Sequence, residues 1–171
     1  MALTVDTDSY ISLEDADAFV SANYTSTETE FTTWDALEDA DKEIYLRRAC
    51  KKIDKQRFTG IKAVSTQALE FPRAIMSDYR REQYPALYTI LNNDWIVQTE
   101  TPQAVKDAQV EEALQLAIGE PQRLKLQRQG VKSFSLGSLS ESYSGPNRIT
   151  LISEEARDLL RPYLAGSAPI I

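Results

Sequence analysis

The sequence predicts a mainly α protein: a small helical bundle with an extended connector segment and a C-terminal β-hairpin. Three observations support this prediction. Helical apolar periodicity with capping residues recurs near 13–23, 40–57, 101–118 and 153–163. Apolar and polar residues alternate through 67–73, and they alternate again around a central glycine in 131–143. We therefore divide the chain into a body over 1–130 that includes the extended segment 61–73, a hairpin over 131–143, and a terminal helix and tail over 144–171.

The composition excludes several classes of function. The chain has 171 residues, which suits one domain, and a net charge of −7. It contains no histidine and a single cysteine, Cys50, so the commonest general base, an intrachain disulfide and a cysteine metal cluster are all excluded. It has no glycine-rich phosphate loop and no run near the ~20 apolar residues of a membrane span. We expect a protein that is not an enzyme, takes no cofactor or metal and does not associate with a membrane.

The first predicted helix covers about 13–23. Ser12 is typical of an N-cap, and Asp15 three residues later favours a helix start there. Residues 24–33 are rich in Thr, Ser and Glu, which predicts an exposed loop. Trp34 follows just before the next helix and is predicted to fill part of the core.

The second predicted helix, over about 40–57, is the one strongly basic segment of the chain. Asp39 or Asp41 is expected to cap it, and Cys50 is predicted to be a small core residue on its apolar stripe. Its other faces carry Lys42, Arg47, Arg48, Lys51, Lys52, Lys55 and Arg57. One interpretation is a face that is solvated or paired with acidic neighbours. The other is a basic stripe that meets an acidic partner or the DNA backbone.

The stretch 67–73 is predicted to connect two helical halves. In an extended segment, Leu69 and Phe71 point the same way, so both can anchor the stretch to the body. Pro72 lacks a backbone donor, which favours an edge strand or an extended arm. Arg73 either pairs locally or meets a partner protein.

If Arg73 meets a partner protein, the segment 76–84 that follows it is expected to take part in the same contact. It carries Tyr79 and Arg80, and a Tyr/Arg mixture is typical of protein interfaces. Because Pro85 breaks the run, we expect short helical turns rather than one long helix.

The third predicted helix begins at Thr101-Pro102, a cap followed by proline at the first helical position. It should run to about 116–118 and stop at Gly119. Apolar residues and alanines surround much of its circumference, which predicts the central core helix.

The serine-rich stretch 131–143 is predicted to be a β-hairpin. Phe134 and Leu136 share one face of its first limb, Leu139 and Tyr143 share one face of the second, and Gly137 can supply the turn. A lone hairpin is marginal in water, so it needs a body or a neighbouring subunit.

The last predicted helix begins at Ser153 and carries Leu159, Leu160 and Tyr163 on one face. The tail finishes on Pro169-Ile170-Ile171. Apolar residues at a chain terminus often dock onto a surface, which can belong to the same chain or to a partner.

An ordered set of segments resembles one known family. The set consists of Tyr10-Ile11-Ser12 with Glu14, Ala16 and Ala18, Trp34, Ala40-Asp41-Lys42-Glu43, Leu46-Arg47-Arg48-Ala49, Ile53-Asp54, Phe58-Thr59-Gly60, the stretch 67–73, and Pro102 with Val105, Ala108 and Ala113. Over about 9–143 this order resembles the small head-to-tail connector (adaptor) proteins of long-tailed bacteriophages. Automated classification often gives such sequences the label DnaT-like single-stranded-DNA-binding.

The resemblance implies a structural virion protein in the neck, made in the cytoplasm of the bacterial host. Copies would form a ring, usually a dodecamer, beneath the portal protein, and the ring would carry the stopper or tail-completion protein. DNA would pass through its channel without specific binding. By analogy, the candidate portal contacts are Leu159, Leu160, Tyr163, Leu164, Ile170 and Ile171. The candidates for a subunit or stopper interface are Arg73, Tyr79, Arg80, Phe134, Leu136, Leu139 and Tyr143.

The alternative function is a primosome-like single-stranded-DNA-binding protein. It would use the basic helix 42–57, with tyrosines as stacking platforms for bases. The net negative charge opposes this alternative, because phosphate contacts need Lys or Arg. The arrangement that would favour it is a single surface shared by Arg47, Arg48, Lys51, Lys52, Lys55, Tyr45 and Tyr79.

Overall fold

The computed structural model describes residues 2–76, 88–90, 95–119, 125, 133–136, 139–142 and 151–166. The described helices are α1 (Leu13–Asn23), α2 (Thr29–Asp35), α3 (Asp39–Ile53), α4 (Gln103–Ile118) and α5 (Glu154–Leu160), the last followed by the 3₁₀ turn Arg161–Tyr163. The described strands are β1 (Ile61–Lys62), β2 (Arg73–Met76), β3 (Tyr88–Ile90), β4 (Trp95–Gln98), β5 (Ser133–Leu136) and β6 (Leu139–Ser142). Helices account for about half of the residues described.

The fold is a mixture of helices and sheet, so the prediction of a mainly α bundle was wrong. The finding that overturns it is an antiparallel sheet in the order β1-β2-β4-β3. In its centre Ala74 pairs with Val97 and Ile75 pairs with Ile96. These strands are two to four residues long, and periodicity does not distinguish such short apolar runs from helical turns.

The segment 61–73 is less extended than predicted. Only its two ends are strands, and the residues between them form bends and a turn. Leu69 and Phe71 are buried as expected. However, β2 lies inside the sheet, between β1 and β4, rather than at its edge. Pro72 permits this position because it lies just before the strand and interrupts no ladder hydrogen bond within it.

The N-terminal helices follow the capping signals only in part. Helix α1 covers the predicted residues, and Ser12 Oγ accepts the Asp15 N–H at 3.1 Å. The predicted loop 24–33 contains the start of α2 instead, because buried Trp34 holds this short helix on the core despite its weak helix formers. Helix α3 has Glu38 at its N-cap, not Asp39 or Asp41, and ends at Ile53 rather than near 57.

Helix α4 is the central element, as predicted. It packs against α1, α2, α3 and α5. Its inward side chains are almost fully inaccessible to solvent, among them Val105, Ala108, Val110, Ala113 and Leu114. Gly119 ends the helix at a φ of 104°, a conformation that favours glycine. No helix in the described part of the chain is long and apolar enough to cross a membrane.

The C-terminal helix is built into the same core. Leu160 and Tyr163 cluster with Phe58, Phe71 and Val105. The backbone after α5 also pairs with the segment that follows α3, since the Thr59 N–H donates to Tyr163 O at 2.8 Å. Residues 151–166 are therefore held by the body rather than extended away from it.

The predicted hairpin is present as β5 and β6, which pair antiparallel with Leu136 opposite Leu139. Phe134, Leu136 and Leu139 lie on its strands. The two strands form a two-stranded sheet separate from β1-β2-β4-β3. The predicted helical turns at 77–84 lie outside the described residues, as do Gly137 and Tyr143.

Candidate nucleic-acid interface

Four exposed basic residues lie on the last turns of α3 or just after it. Arg48 and Lys51 lie on the outward side of α3, and Lys55 and Arg57 follow it within four residues. All four side chains are exposed and form no ion pair with any described residue. We refer to Arg48, Lys51, Lys55 and Arg57 as the basic end of α3. Cations near a helix C-terminus also interact favourably with the helix dipole.

The remaining basic residues of α3 are turned towards carboxylates of the same chain. The ion pairs are Lys42–Asp17 at 3.1 Å, Arg47–Asp8 at 2.7 Å, Arg47–Glu43 at 3.2 Å and Lys52–Glu112 at 2.7 Å. The first interpretation, a face that is solvated or paired with acidic neighbours, therefore agrees with the structure, and contact with an acidic partner or with DNA stays a prediction. The paired cations join α3 to α1, α4 and the N-terminal segment.

An aromatic residue adjoins the basic end. Tyr45 is half-buried and packs against the core cluster formed by α1, α3 and α4. The Arg48 guanidinium carbon lies 5.5 Å from the centroid of the Tyr45 ring, within cation–π range. Ile44 beside it is 50 % exposed. The (i, i+3) spacing of Tyr45 and Arg48 is the sequence signal that could have identified this pair.

DNA binding would be favoured by a single surface that the basic residues of α3 share with two tyrosines, and the structure shows part of this arrangement. Arg48, Lys51 and Lys55 are exposed at the same end of α3, and Tyr45 contacts Arg48. Arg47 and Lys52 are engaged in ion pairs. Tyr79 lies outside the described residues.

The sequence left two roles open for Arg73, local pairing or contact with a partner protein, and in the structure its side chain is paired locally. It is 5 % exposed, and its guanidinium donates to Thr59 O, Gly60 O and the Glu70 carboxylate. It also lies over the ring of Phe58 at 5.6 Å. Its side chain is therefore occupied within the chain.

The predicted C-terminal contact residues differ in accessibility. Leu160 and Tyr163 are core residues, so neither can dock on another protein while α5 stays folded. Leu159 and Leu164 are half-buried against that core. Arg80, Ile170 and Ile171 lie outside the described residues.

Burial shifts the pKa of several ionisable groups in the described core. Burial raises the pKa of the Cys50 thiol well above its ordinary value, so the thiol stays protonated. Burial also raises the pKa of the Asp54 carboxyl, although the hydrogen bond from the Tyr10 hydroxyl acts in the opposite direction. Burial raises the pKa of Glu111, which accepts the Tyr24 hydroxyl. Among the described residues, no group of His, Cys, Asp or Glu side chains is arranged to hold a metal ion.

The comparisons with known proteins give one match. A family model described as "Putative DnaT-like ssDNA binding protein" matches residues 2–171. No curated protein and no solved structure matches the chain. The matched region includes the whole of α3, the sheet and α5.

Proposed function

The chain belongs to the DnaT-like ssDNA-binding family, and we propose that it is a non-enzymatic protein that binds single-stranded DNA through the basic end of α3. The observation that carries this proposal is the group of four exposed cations without carboxylate partners among the described residues. The family description is consistent with it. Phosphate contacts through Lys and Arg supply most of the affinity in sequence-independent binding.

The proposed binding should be weak and sensitive to salt. The chain carries a net charge of −7, so its other surfaces repel a phosphate backbone. At physiological ionic strength charges are screened beyond about 8 Å, and a local cationic patch can therefore act on its own. Four phosphate contacts to a single strand correspond to a slope of about −3 in a plot of log affinity against log salt concentration.

Neutralising two lysines of the basic end tests the proposal. We expect Lys51→Gln with Lys55→Gln to reduce the salt slope by about 1.4, because two phosphate contacts are lost. The affinity for a labelled thymidine oligomer at low salt should fall about tenfold. Fluorescence anisotropy over a series of salt concentrations measures both quantities.

The matched control neutralises Lys106 and Arg157 with the same substitution. These side chains are half-buried on α4 and α5, away from the C-terminal end of α3 in sequence. The net charge of the two double variants is identical, so a general electrostatic effect would weaken both equally. Equal affinities for the two variants would contradict binding at the basic end of α3.

A second candidate function is the ring-forming head-to-tail connector, with the portal protein, a stopper and further copies of the chain as partners. The specific observation that favours it is the β5–β6 hairpin, whose two strands form a sheet of their own, separate from the sheet β1-β2-β4-β3. A neighbouring copy could cover such a hairpin, because an isolated two-stranded hairpin is marginally stable. A ring with two different patches per subunit closes when the rotation between copies permits.

Light scattering distinguishes the two candidates. A monomer whose mass rises to that of a multi-copy complex only when its portal is added would support the connector. A mass that stays unchanged when the portal is added but rises with single-stranded DNA at physiological salt would support DNA binding.

A further inference from the structure

We infer that Arg48, supported by the ring of Tyr45, is a stacking platform for one unpaired base of the bound strand. This inference rests on the proposed binding of single-stranded DNA. It assigns to one residue of the basic end a role that charge alone does not provide. Base stacking on aromatic rings or guanidinium planes is the usual sequence-tolerant contact in single-strand binding.

The geometry gives the two residues different tasks. Tyr45 is half-buried against the core cluster, so its ring is fixed by packing. Arg48 is exposed and its guanidinium carbon lies 5.5 Å from the centroid of that ring. The attraction between the guanidinium and the ring favours this position of the Arg48 side chain. The side of the guanidinium away from Tyr45 is then the surface on which a base can stack.

An exposed apolar side chain extends this platform. Ile44 lies one helical turn before Arg48, and residues at (i, i+4) are neighbours on a helix surface. Half of the Ile44 surface is accessible to solvent, which makes it one of the few exposed large apolar side chains among the described residues. A base that stacks on Arg48 could also cover Ile44. The surface around Tyr45 and Arg48 would therefore offer an apolar contact to a base in addition to its positive charge.

Two components of affinity should therefore be separable. Lys51 and Lys55 act as point charges, so their contribution falls as salt rises. The Arg48 platform adds a stacking contribution that salt changes little. In duplex DNA the bases are stacked inside the helix, so only a strand with unpaired bases gains this second component.

The test replaces Arg48 by lysine, which keeps the charge and removes the planar group. We expect Arg48→Lys to reduce affinity for a thymidine oligomer about five- to tenfold at every salt concentration, with the salt slope unchanged. The matched control is Lys51→Arg, which also conserves charge and should stay within about twofold of the original protein. A 2-aminopurine base in the oligomer reports stacking directly. Binding should change its fluorescence by the same amount for the original protein and for Lys51→Arg, and by a different amount for Arg48→Lys.

The outcomes separate this inference from the proposed function. If the original protein binds and Arg48→Lys matches it in affinity and in the fluorescence change, the platform is refuted while DNA binding stands. If the original protein does not bind the oligomer even at low salt, both are refuted. A lower affinity with a reduced salt slope would also refute the platform, because it would mean that Arg48→Lys loses a phosphate contact rather than a stacked base.

Discussion

Replacing Glu112 by alanine is expected to lower the free energy of unfolding by about 3–5 kcal/mol, the usual cost of breaking a buried ion pair. The Glu112 side chain is fully buried on α4. One carboxylate oxygen accepts Lys52 Nζ at 2.7 Å, and the other accepts the backbone N–H groups of Ile152 at 2.7 Å and Ser153 at 3.0 Å. This one carboxylate therefore joins α3, α4 and the start of α5. Its loss leaves the Lys52 ammonium, the buried Ser153 N–H and the half-buried Ile152 N–H without this acceptor.

Urea denaturation followed by circular dichroism measures this effect. Glu112→Gln is the informative comparison, because its amide oxygen can still accept the two backbone N–H groups while the ion pair is lost. We expect it to destabilise less than alanine does. Asp158→Ala on the exposed side of α5 controls for a change of charge in this region. A loss below about 1 kcal/mol for Glu112→Ala would contradict the role assigned to this carboxylate.

The sequence predicted those elements whose ends carry a local chemical signal. Ser12 and Asp15 define the start of α1, and Gly119 ends α4, since each acts on backbone groups within a few residues. Pro102 marks the start of α4 but lies at its N-cap rather than at the predicted first helical position, and Thr101 does not cap the helix. The sheet depends instead on pairing between distant segments. Ala74 pairs with Val97, which lies far away in the sequence. The residues next to either one therefore do not indicate this pairing.

The candidate interface shows the same division. The run of basic residues on α3 is visible in the sequence, but which of them form ion pairs and which stay exposed is not. Lys42 and Lys52 are paired because Asp17 and Glu112 arrive from other helices. Lys51 is exposed because no described carboxylate reaches it. The Tyr45–Arg48 contact is local and could have been predicted from its spacing.

Replacing Arg73 by alanine is the second change with a large expected effect, about 3–5 kcal/mol of unfolding free energy. The guanidinium donates to Thr59 O at 2.9 Å and to Gly60 O at 2.6 Å, and it forms an ion pair with Glu70. Its carbon atom lies 5.9 Å from the centroid of the Phe71 ring. Alanine would leave two carbonyl groups and a carboxylate without their donor and would remove the contact with the ring.

Two further variants separate the contributions of charge, shape and hydrogen bonding at this position. Arg73→Lys keeps the charge but cannot donate in a planar fork. We therefore expect it to lose most of the unfolding free energy that Arg73 contributes. Arg73→Met keeps much of the side-chain volume without any donor, and it should resemble alanine if the hydrogen bonds dominate. Urea denaturation of the isolated protein measures all three variants.

The same series decides between the two interpretations of Arg73 made from the sequence. A residue whose role is to meet a partner protein would leave the stability of the isolated chain almost unchanged when replaced, and only complex formation would weaken. The contacts with Thr59, Gly60 and Glu70 require the opposite result, because all of them are made within one chain. An alanine variant as stable as the original protein would therefore overturn the local role and return Arg73 to the list of interface candidates.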